Sequence, residues 1–169
     1  MVILQLAMSL DGFIAREDGS VDFLDDITGD VETMFQTFLS KIDTIVMGRT
    51  TYDQMLTFGP IPFADKDMIV LSSRELVDPP KHVKQMDISP QDLVQGRNET
   101  IWLFGGAHVI HQFLNQNLID RFELFIVPQV IGKGIPLFDS QSSLSDLRLI
   151  ETKEYEDNVL LVYENTSNR

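Results

Sequence analysis

Two consecutive glycines, Gly105 and Gly106, interrupt the sequence LFGGAH at the point where an apolar run ends and an amphipathic segment begins. Residues 101–104 have the composition of a buried strand, and the residues after the glycines have the spacing of a helix. One interpretation of the pair is a tight packing point or a positive φ. The other is a ligand phosphate lying against the backbone, with the first N–H groups of the helix aimed at it. The G-x-G-x-x-G motif of dinucleotide-binding domains is absent, so the pair alone does not decide between them.

A second strand-to-helix junction occurs in IVMGRTTYDQM, where Gly48 is followed by Arg49 and Thr50. Thr50 and Asp53 have the spacing of a capping box, which would make this an ordinary helix start. A cap requires neither the glycine nor the arginine. A close backbone approach, a helix dipole and a fixed cation would together suit a phosphate.

A third junction has the same character, because Ser72, Ser73 and Arg74 directly follow the apolar run MIVL. Hydroxyl groups and a guanidinium at a strand end would suit the 2′-phosphate of an adenosine ribose. Ligands of open α/β sheets collect at the carboxyl ends of the strands. The three junctions are therefore predicted to form one phosphate-binding edge.

Strand and helix patterns alternate along the chain. Val31, Met34, Phe35, Phe38 and Leu39 follow helical spacing, and strand patterns cover residues 2–8, 43–47 and 68–73. Further strands are predicted within 121–131, 147–156 and 158–165, with a hairpin turn at residues 157–158 and a turn or bulge at residues 132–134. This order predicts a mixed sheet covered by helices on both faces.

The bulk composition narrows the function classes. The chain has 169 residues, is 43% hydrophobic and contains no cysteine, which favours one domain over residues 1–169 and excludes disulfides and thiolate chemistry. A formal charge of −13 argues against nucleic acids and anionic membranes as partners. No stretch approaches the roughly 20 apolar residues of a membrane span, so a soluble cytoplasmic protein is predicted. No metal site is predicted, since His108 and His111 fit a helix surface.

The order of these motifs resembles the dihydrofolate reductase superfamily, and most closely its branch that includes the reductase domain of riboflavin biosynthesis. The resemblance rests on AMSLDGFIA, IVMGRTTYDQM, MIVLSSR, LFGGAHVI and FELFIVPQVIGKGIPLF. It implies an α/β fold of three αβα layers, with a central mixed, mostly parallel sheet and a C-terminal antiparallel hairpin. It also implies NADPH as the hydride donor, a small-molecule substrate and a homodimer.

The resemblance also assigns residues to the cofactor. It implies a phosphate-binding turn, a segment near the adenosine phosphate and a glycine pair, often joined by a cis peptide, against the pyrophosphate. The corresponding cofactor-binding residues are Gly48, Arg49, Thr50, Ser72, Ser73, Arg74, Gly105, Gly106 and Ala107, with Ala7 bordering the nicotinamide. Leu10, Asp11 and Gly12 match the loop that borders the nicotinamide and the substrate.

The proton donor is the part of the match that leaves alternatives open. The segment DFLDDITGDVETMF lacks the tryptophan that precedes the acid of dihydrofolate reductases, and its acidic candidates are Asp26, Asp30 and Glu32. Asp30 stands before the first apolar helix residue, so it is either an N-cap or a catalytic acid. Asp11 or a water molecule is the other candidate. Asp11 and Asp30 are the catalytic residues predicted.

The predicted function is an NADPH-dependent reductase that transfers a hydride to a small heterocyclic or imine substrate. 5-amino-6-(5-phosphoribosylamino)uracil and a pterin are the named candidates. Two alternatives stay open: a nucleotide-binding module on the same fold without turnover, and an acidic interaction domain without a small-molecule site.

Overall fold

The computed structural model describes residues 1–25, 27, 30–143 and 145–167. The strands are β1 Val2–Ser9, β2 Phe13–Ala15, β3 Thr44–Gly48, β4 Asp67–Leu71, β5 Val83–Met86, β6 Ile101–Gly105, β7 Arg121–Val127, β8 Ile135–Pro136, β9 Leu147–Tyr155 and β10 Asn158–Asn165. The helices are α1 Val31–Leu39, α2 Arg49–Leu56, α3 Pro90–Val94 and α4 Ala107–Asn115, with a 3-10 turn at Asp22–Leu24. Within the described residues, no helix has the length and apolar character needed to cross a membrane.

Eight strands form one sheet in the order β5-β4-β3-β6-β1-β7-β10-β9. The first six of these run parallel, while β10 pairs antiparallel with β7 and with β9. Strands β2 and β8 form a separate antiparallel pair. The predicted mixed, mostly parallel sheet with a C-terminal antiparallel hairpin is confirmed.

Apolar side chains cover both faces of the sheet, as alternate residues of each strand point to opposite sides. In β1, Leu4 packs with Phe113 of α4 on one face. Ile3 packs with Phe38 of α1 and Trp102 of β6 on the other face, where Trp102 contacts four phenylalanine rings. A third cluster extends this second face towards β10. The helices therefore lie in the outer layers that the resemblance implies.

Local signals explain where α1 and α3 begin. The Asp30 carboxylate accepts a hydrogen bond from the Thr33 N–H as the N-cap of α1. Ser89 caps α3 in the same way, with Pro90 at its first position. The N-cap interpretation of Asp30 is thus confirmed.

Three details differ from the sequence prediction. Strands β2, β5 and β8 are missing from the sequence prediction, because β2 and β8 have only three and two residues and β5 buries only Val83 fully. The hairpin turn consists of Glu156 and Asp157 rather than residues 157–158, and Glu156 has a φ of 54°. The asparagine at position 158 belongs to β10, where its side chain is buried and donates to the Tyr155 carbonyl.

Candidate functional site

The three predicted junctions meet at one edge of the sheet. Strand β3 lies between β4 and β6, with Gly48 paired to Leu71 and Met47 paired to Gly105. The backbone segments that follow β4, β3 and β6 therefore lie side by side at one edge of the sheet. We refer to residues 48–51, 72–75 and 105–107, which lie at or directly after the ends of β3, β4 and β6, as the cradle.

Helices α2 and α4 both begin in the cradle, directly after a glycine N-cap. Neither Gly48 nor Gly106 supplies a capping side chain, so the capping-box interpretation of Thr50 and Asp53 is wrong. The first N–H groups of a helix have no partner within the helix. Two adjacent helices thus direct uncapped N–H groups and the positive ends of their dipoles towards one region.

The glycines of the cradle serve different purposes. Gly105 is buried and has a φ of 148°, and a Cβ atom built on it would meet nothing within 4 Å apart from its chain neighbours. A Cβ atom on Gly106 would lie 2.8 Å from the Oγ1 of Thr51, and one on Gly48 would lie 2.9 Å from a methyl group of Val109. The peptide bond between Gly105 and Gly106 is cis. Gly48 and Gly106 therefore also let α2 and α4 approach each other.

Arg49 ties two segments of the cradle together. Its Nε donates to the Asp53 carboxylate at 2.7 Å, and one terminal nitrogen donates to the carbonyls of Arg74 and Glu75 at 3.2 and 3.1 Å. Among the described residues, no hydrogen bond involves its other terminal nitrogen. Arg49 thus fixes the loop after β4 to α2 and keeps donors for a ligand.

The serines and the arginine after β4 form a tight turn. The Ser72 hydroxyl accepts from the Arg74 N–H and donates to the Arg74 carbonyl, so it shapes the backbone. Ser73 and Arg74 expose their side chains. Since Arg49 holds the Arg74 carbonyl, the exposed Arg74 guanidinium is carried by a fixed backbone.

Asp11 anchors one loop to another. Its two carboxylate oxygens accept from the N–H groups of Ile131 at 3.2 Å and Gly132 at 2.8 Å. A hydrogen bond from the Ser9 hydroxyl, together with those from the two backbone N–H groups, lowers the pKa of Asp11. This arrangement favours a permanent carboxylate that holds the loop after β1 against the loop after β7.

Asp11→Asn is expected to destabilise the fold near neutral pH. In the wild-type protein two backbone N–H groups donate to the carboxylate, and in the variant the NH2 group of asparagine would face one of them. The lowered pKa means that the stabilisation is present above the unfolded-state value of about 3.9 and is lost as the pH falls through the folded-state pKa. Urea denaturation midpoints of both proteins should therefore converge in acid. Asp87→Asn, at an exposed position after β5, is the control; an equal difference at every pH would contradict the assignment.

The other acidic candidates lie apart from the cradle. Asp30 lines a groove of about 540 Å³ between α1 and the hairpin of β9 and β10, together with Met34, Tyr155 and Lys153. Glu32 accepts from the Gln36 side chain on the surface of α1. Asp26 is outside the described residues. Neither Asp30 nor Glu32 is thus brought to the cradle.

The β2–β8 pair is a feature of the site that the sequence did not reveal. A Cβ atom on Gly134 would lie 2.3 Å from the Ala15 carbonyl oxygen, and the Leu137 N–H donates to the Gly12 carbonyl. The sequence predicted that His111 lies on the surface of α4, but its side chain is half-buried and its Nε2 hydrogen-bonds the carbonyls of Pro136 and Leu137. These contacts hold the segment after β7 against the loop that contains Asp11.

A family model described as the RibD C-terminal domain matches residues 1–161. The uncharacterized protein YwjB of Bacillus subtilis (strain 168) is 34% identical over 166 residues, which cover 95% of each chain. Among solved structures, a protein of Shewanella sp. PV-4 provisionally assigned to riboflavin biosynthesis is 28% identical, with 98% of each chain covered and a TM-score of 0.84.

A dihydrofolate reductase from Enterococcus faecalis, solved as a complex with NADP(H) and RAB-propyl, shares the fold at 16% identity. The match covers 98% of this chain and 96% of the reductase, with a TM-score of 0.69. At this identity the likeness concerns the fold, which is that of the dihydrofolate reductases.

Proposed function

The chain belongs to the RibD C-terminal domain family, within the dihydrofolate-reductase-like superfamily, and we propose that it is an NADPH-dependent reductase. The observation that carries the proposal is the pair of uncapped helix N-termini, α2 and α4, on neighbouring strands. In the absence of a capping side chain, an anion is the complement that these N–H groups favour. The proposed substrate is a small heterocyclic or imine compound.

The cradle fits the phosphates of NADPH in both shape and donor chemistry. The position that a Cβ atom of Gly105 would take is clear of other residues and would admit a pyrophosphate against the backbone, and the first N–H groups of α2 and α4 would hold it. Arg74 and Ser73, exposed on the loop that Arg49 fixes, would hold the 2′-phosphate. When bound, NADPH supplies a hydride; the protein has to orient it and exclude water.

Ala7 is the residue that we propose beside the nicotinamide. It lies in β1, where it pairs with Phe125 of β7, and it packs in the cluster that includes Met34 of α1 and Ile131 of the loop that Asp11 anchors. The nicotinamide would then lie over the part of β1 that leads into the Asp11 loop. An electrophilic carbon of the substrate has to reach the same place for hydride transfer.

Asp11 is better suited to positioning than to proton donation. A carboxylate that accepts two backbone N–H groups, and whose pKa is lowered, is a poor acid near neutral pH. We therefore propose that it fixes the loop over the nicotinamide, and that the proton comes from water or from Asp30. The named substrate candidates remain 5-amino-6-(5-phosphoribosylamino)uracil, which agrees with the family, and a pterin.

Titration of the protein with NADPH and with NADH tests the cofactor proposal. We expect micromolar NADPH affinity and binding of NADH that is weaker by about tenfold or more, because a charge-assisted contact to the 2′-phosphate contributes about 1.5–3 kcal/mol. Arg74→Ala should weaken NADPH binding by a similar factor and leave NADH binding unchanged. Nicotinamide fluorescence and the melting temperature are the measurements.

Lys84→Ala is the control for that titration, since Lys84 is an exposed cation on β5, at the edge of the sheet. It should change neither affinity. An unaltered melting temperature of the wild-type protein with both nucleotides would contradict the proposal.

A second candidate is an NADPH-binding module without turnover. It is favoured by the finding that Asp11 and Asp30, the two predicted acids, both serve backbone N–H groups. Such a protein would pass the titration and yet oxidise no NADPH with any pterin or pyrimidine supplied. Oxidation of NADPH that depends on one of these compounds would exclude it.

A further inference from the structure

A polar side chain, that of Gln5 in β1, stands among apolar ones on one face of the sheet. Ile3 and Ala7, two residues before and after it, pack on the side of α1, so Gln5 points to that side as well. Its backbone carbonyl accepts a hydrogen bond from Nε1 of Trp102 at 3.2 Å. Among the described residues, no hydrogen bond involves its side-chain amide, which is only partly buried. Gln5 therefore keeps a donor and an acceptor for a ligand.

Aromatic rings lie beside Gln5 on the same face. The register of β1 and β6 makes Phe104 the neighbour of Gln5 on the adjoining strand, directly before the glycine pair of the cradle. The Phe104 ring centroid lies 4.8 Å from that of Trp102, and Phe35 of α1 and Phe63 of the loop after α2 lie 5.7 and 5.8 Å from it. Phe35, Phe63 and Phe104 are half-buried, so a flat ring that enters beside the cradle would meet aromatic surface.

The surroundings of Gln5 and Phe104 offer no unpaired cation among the described residues. They consist of β1, β6, β7, α1, the segment between β1 and α1, the loop after α2 and the segment between β7 and β8. Each cation of these elements forms an ion pair with an acid: Arg16 with Asp22, Lys66 with Asp65, Arg121 with Glu123, and Lys133 with Glu17. Since the chain carries a formal charge of −13, an anionic group bound here would lack a counter-ion.

We propose that Gln5 determines the specificity of the substrate site, and that the substrate is a flat heterocycle without phosphate or carboxylate. The Gln5 amide would pair with a ring N–H that adjoins a ring C=O, while the ring lies against Phe35 and Phe104. This inference rests on the proposed reductase, because the cradle begins directly after Phe104 and Ala7, proposed beside the nicotinamide, lies two residues after Gln5.

The chemistry of a carboxamide explains the choice of ring. Its NH2 group donates and its oxygen accepts, which is complementary to an N–H next to a C=O. Apolar binding sites take their specificity from a few polar groups placed in this way. Of the two named candidates, the pterin has such a ring and no phosphate, whereas the ribosyl phosphate carries an anion that the site does not neutralise.

Two compounds with the same ring test the charge condition on the protein without NADPH. 6-Methylpterin is uncharged near neutral pH, and pterin-6-carboxylate carries a carboxylate on that ring. Both absorb where tryptophan emits, so binding should quench the emission of Trp102, the single tryptophan of the chain. We expect 6-methylpterin to bind, and pterin-6-carboxylate to bind at least about tenfold more weakly. Isothermal titration calorimetry gives the dissociation constants.

Gln5→Met tests the role of the amide, because it keeps the length of the side chain and removes both polar groups. It should weaken 6-methylpterin binding at least about tenfold, since the polar side of the ring is left unpaired. Binding of quinoxaline, a flat bicyclic compound without N–H or C=O, should be weaker in the wild type and unchanged in the variant. Gln91→Met, at an exposed position of α3, is the matched control and should alter neither affinity.

Thermal melts verify that each variant is folded. Failure of 6-methylpterin to bind the wild type at about 1 mM would overturn the proposal. So would equal binding of the carboxylate, wild-type affinity of Gln5→Met for 6-methylpterin, or an equal loss of both compounds in that variant. NADPH binding is titrated separately, so this inference and the reductase proposal can fail independently.

Discussion

Gly106→Val is expected to weaken NADPH binding more than about a hundredfold, because it acts where α2 and α4 come together. The Cβ atom alone would lie 2.8 Å from the Oγ1 of Thr51, so either the Thr51 side chain rotates or the start of α4 moves away from α2. Either shift, together with the valine side chain itself, would disturb the N–H groups that we assign to the pyrophosphate. Titration followed by nicotinamide fluorescence measures the loss, and the melting temperature of the free protein verifies that it folds.

The control separates packing from ligand contact. Thr51→Ala removes the hydroxyl that a side chain at position 106 would meet, so Gly106→Ala is better accommodated in that background. We expect Thr51→Ala alone to bind NADPH, and the double variant Thr51→Ala/Gly106→Ala to remain weak, because its methyl group still lies between the two helix starts. Wild-type affinity in the double variant would show that Gly106 serves only the packing of the helices.

The sequence allowed the cradle to be predicted because its residue types are informative one by one. Glycine, arginine and serine directly after apolar strand patterns indicate exposed backbone and cations wherever the strands lie. The strand order was not available from such local patterns. The pairing of Met47 with Gly105 joins segments more than fifty residues apart, and only this pairing makes two separate junctions into one surface.

Roles that depend on a distant partner were predicted less well. The position of Asp11 in the sequence predicts a candidate acid, but its carboxylate is held by the N–H groups of Ile131 and Gly132, about 120 residues away. Thr50 and Asp53 fit a capping box in sequence, whereas the fold starts α2 at Arg49 and pairs Asp53 with that arginine. In both cases the local pattern is real, and a tertiary contact decides what the side chain does.

Gly134→Ala is expected to lower the free energy of unfolding by about 2 kcal/mol and to reduce NADPH-dependent turnover more strongly than NADPH affinity. The added Cβ atom would lie 2.3 Å from the Ala15 carbonyl oxygen, which belongs to the backbone and has no rotamer to adopt. Since β2 and β8 share only two residue pairs, they would separate and release the loop that contains Asp11, while the cradle on β3, β4 and β6 stays intact. Urea denaturation and steady-state kinetics measure the two effects.

Lys133→Ala is the control, as its ion pair with Glu17 is exposed and should contribute little. An unchanged denaturation midpoint in Gly134→Ala would mean that the β2–β8 contact does not hold this loop.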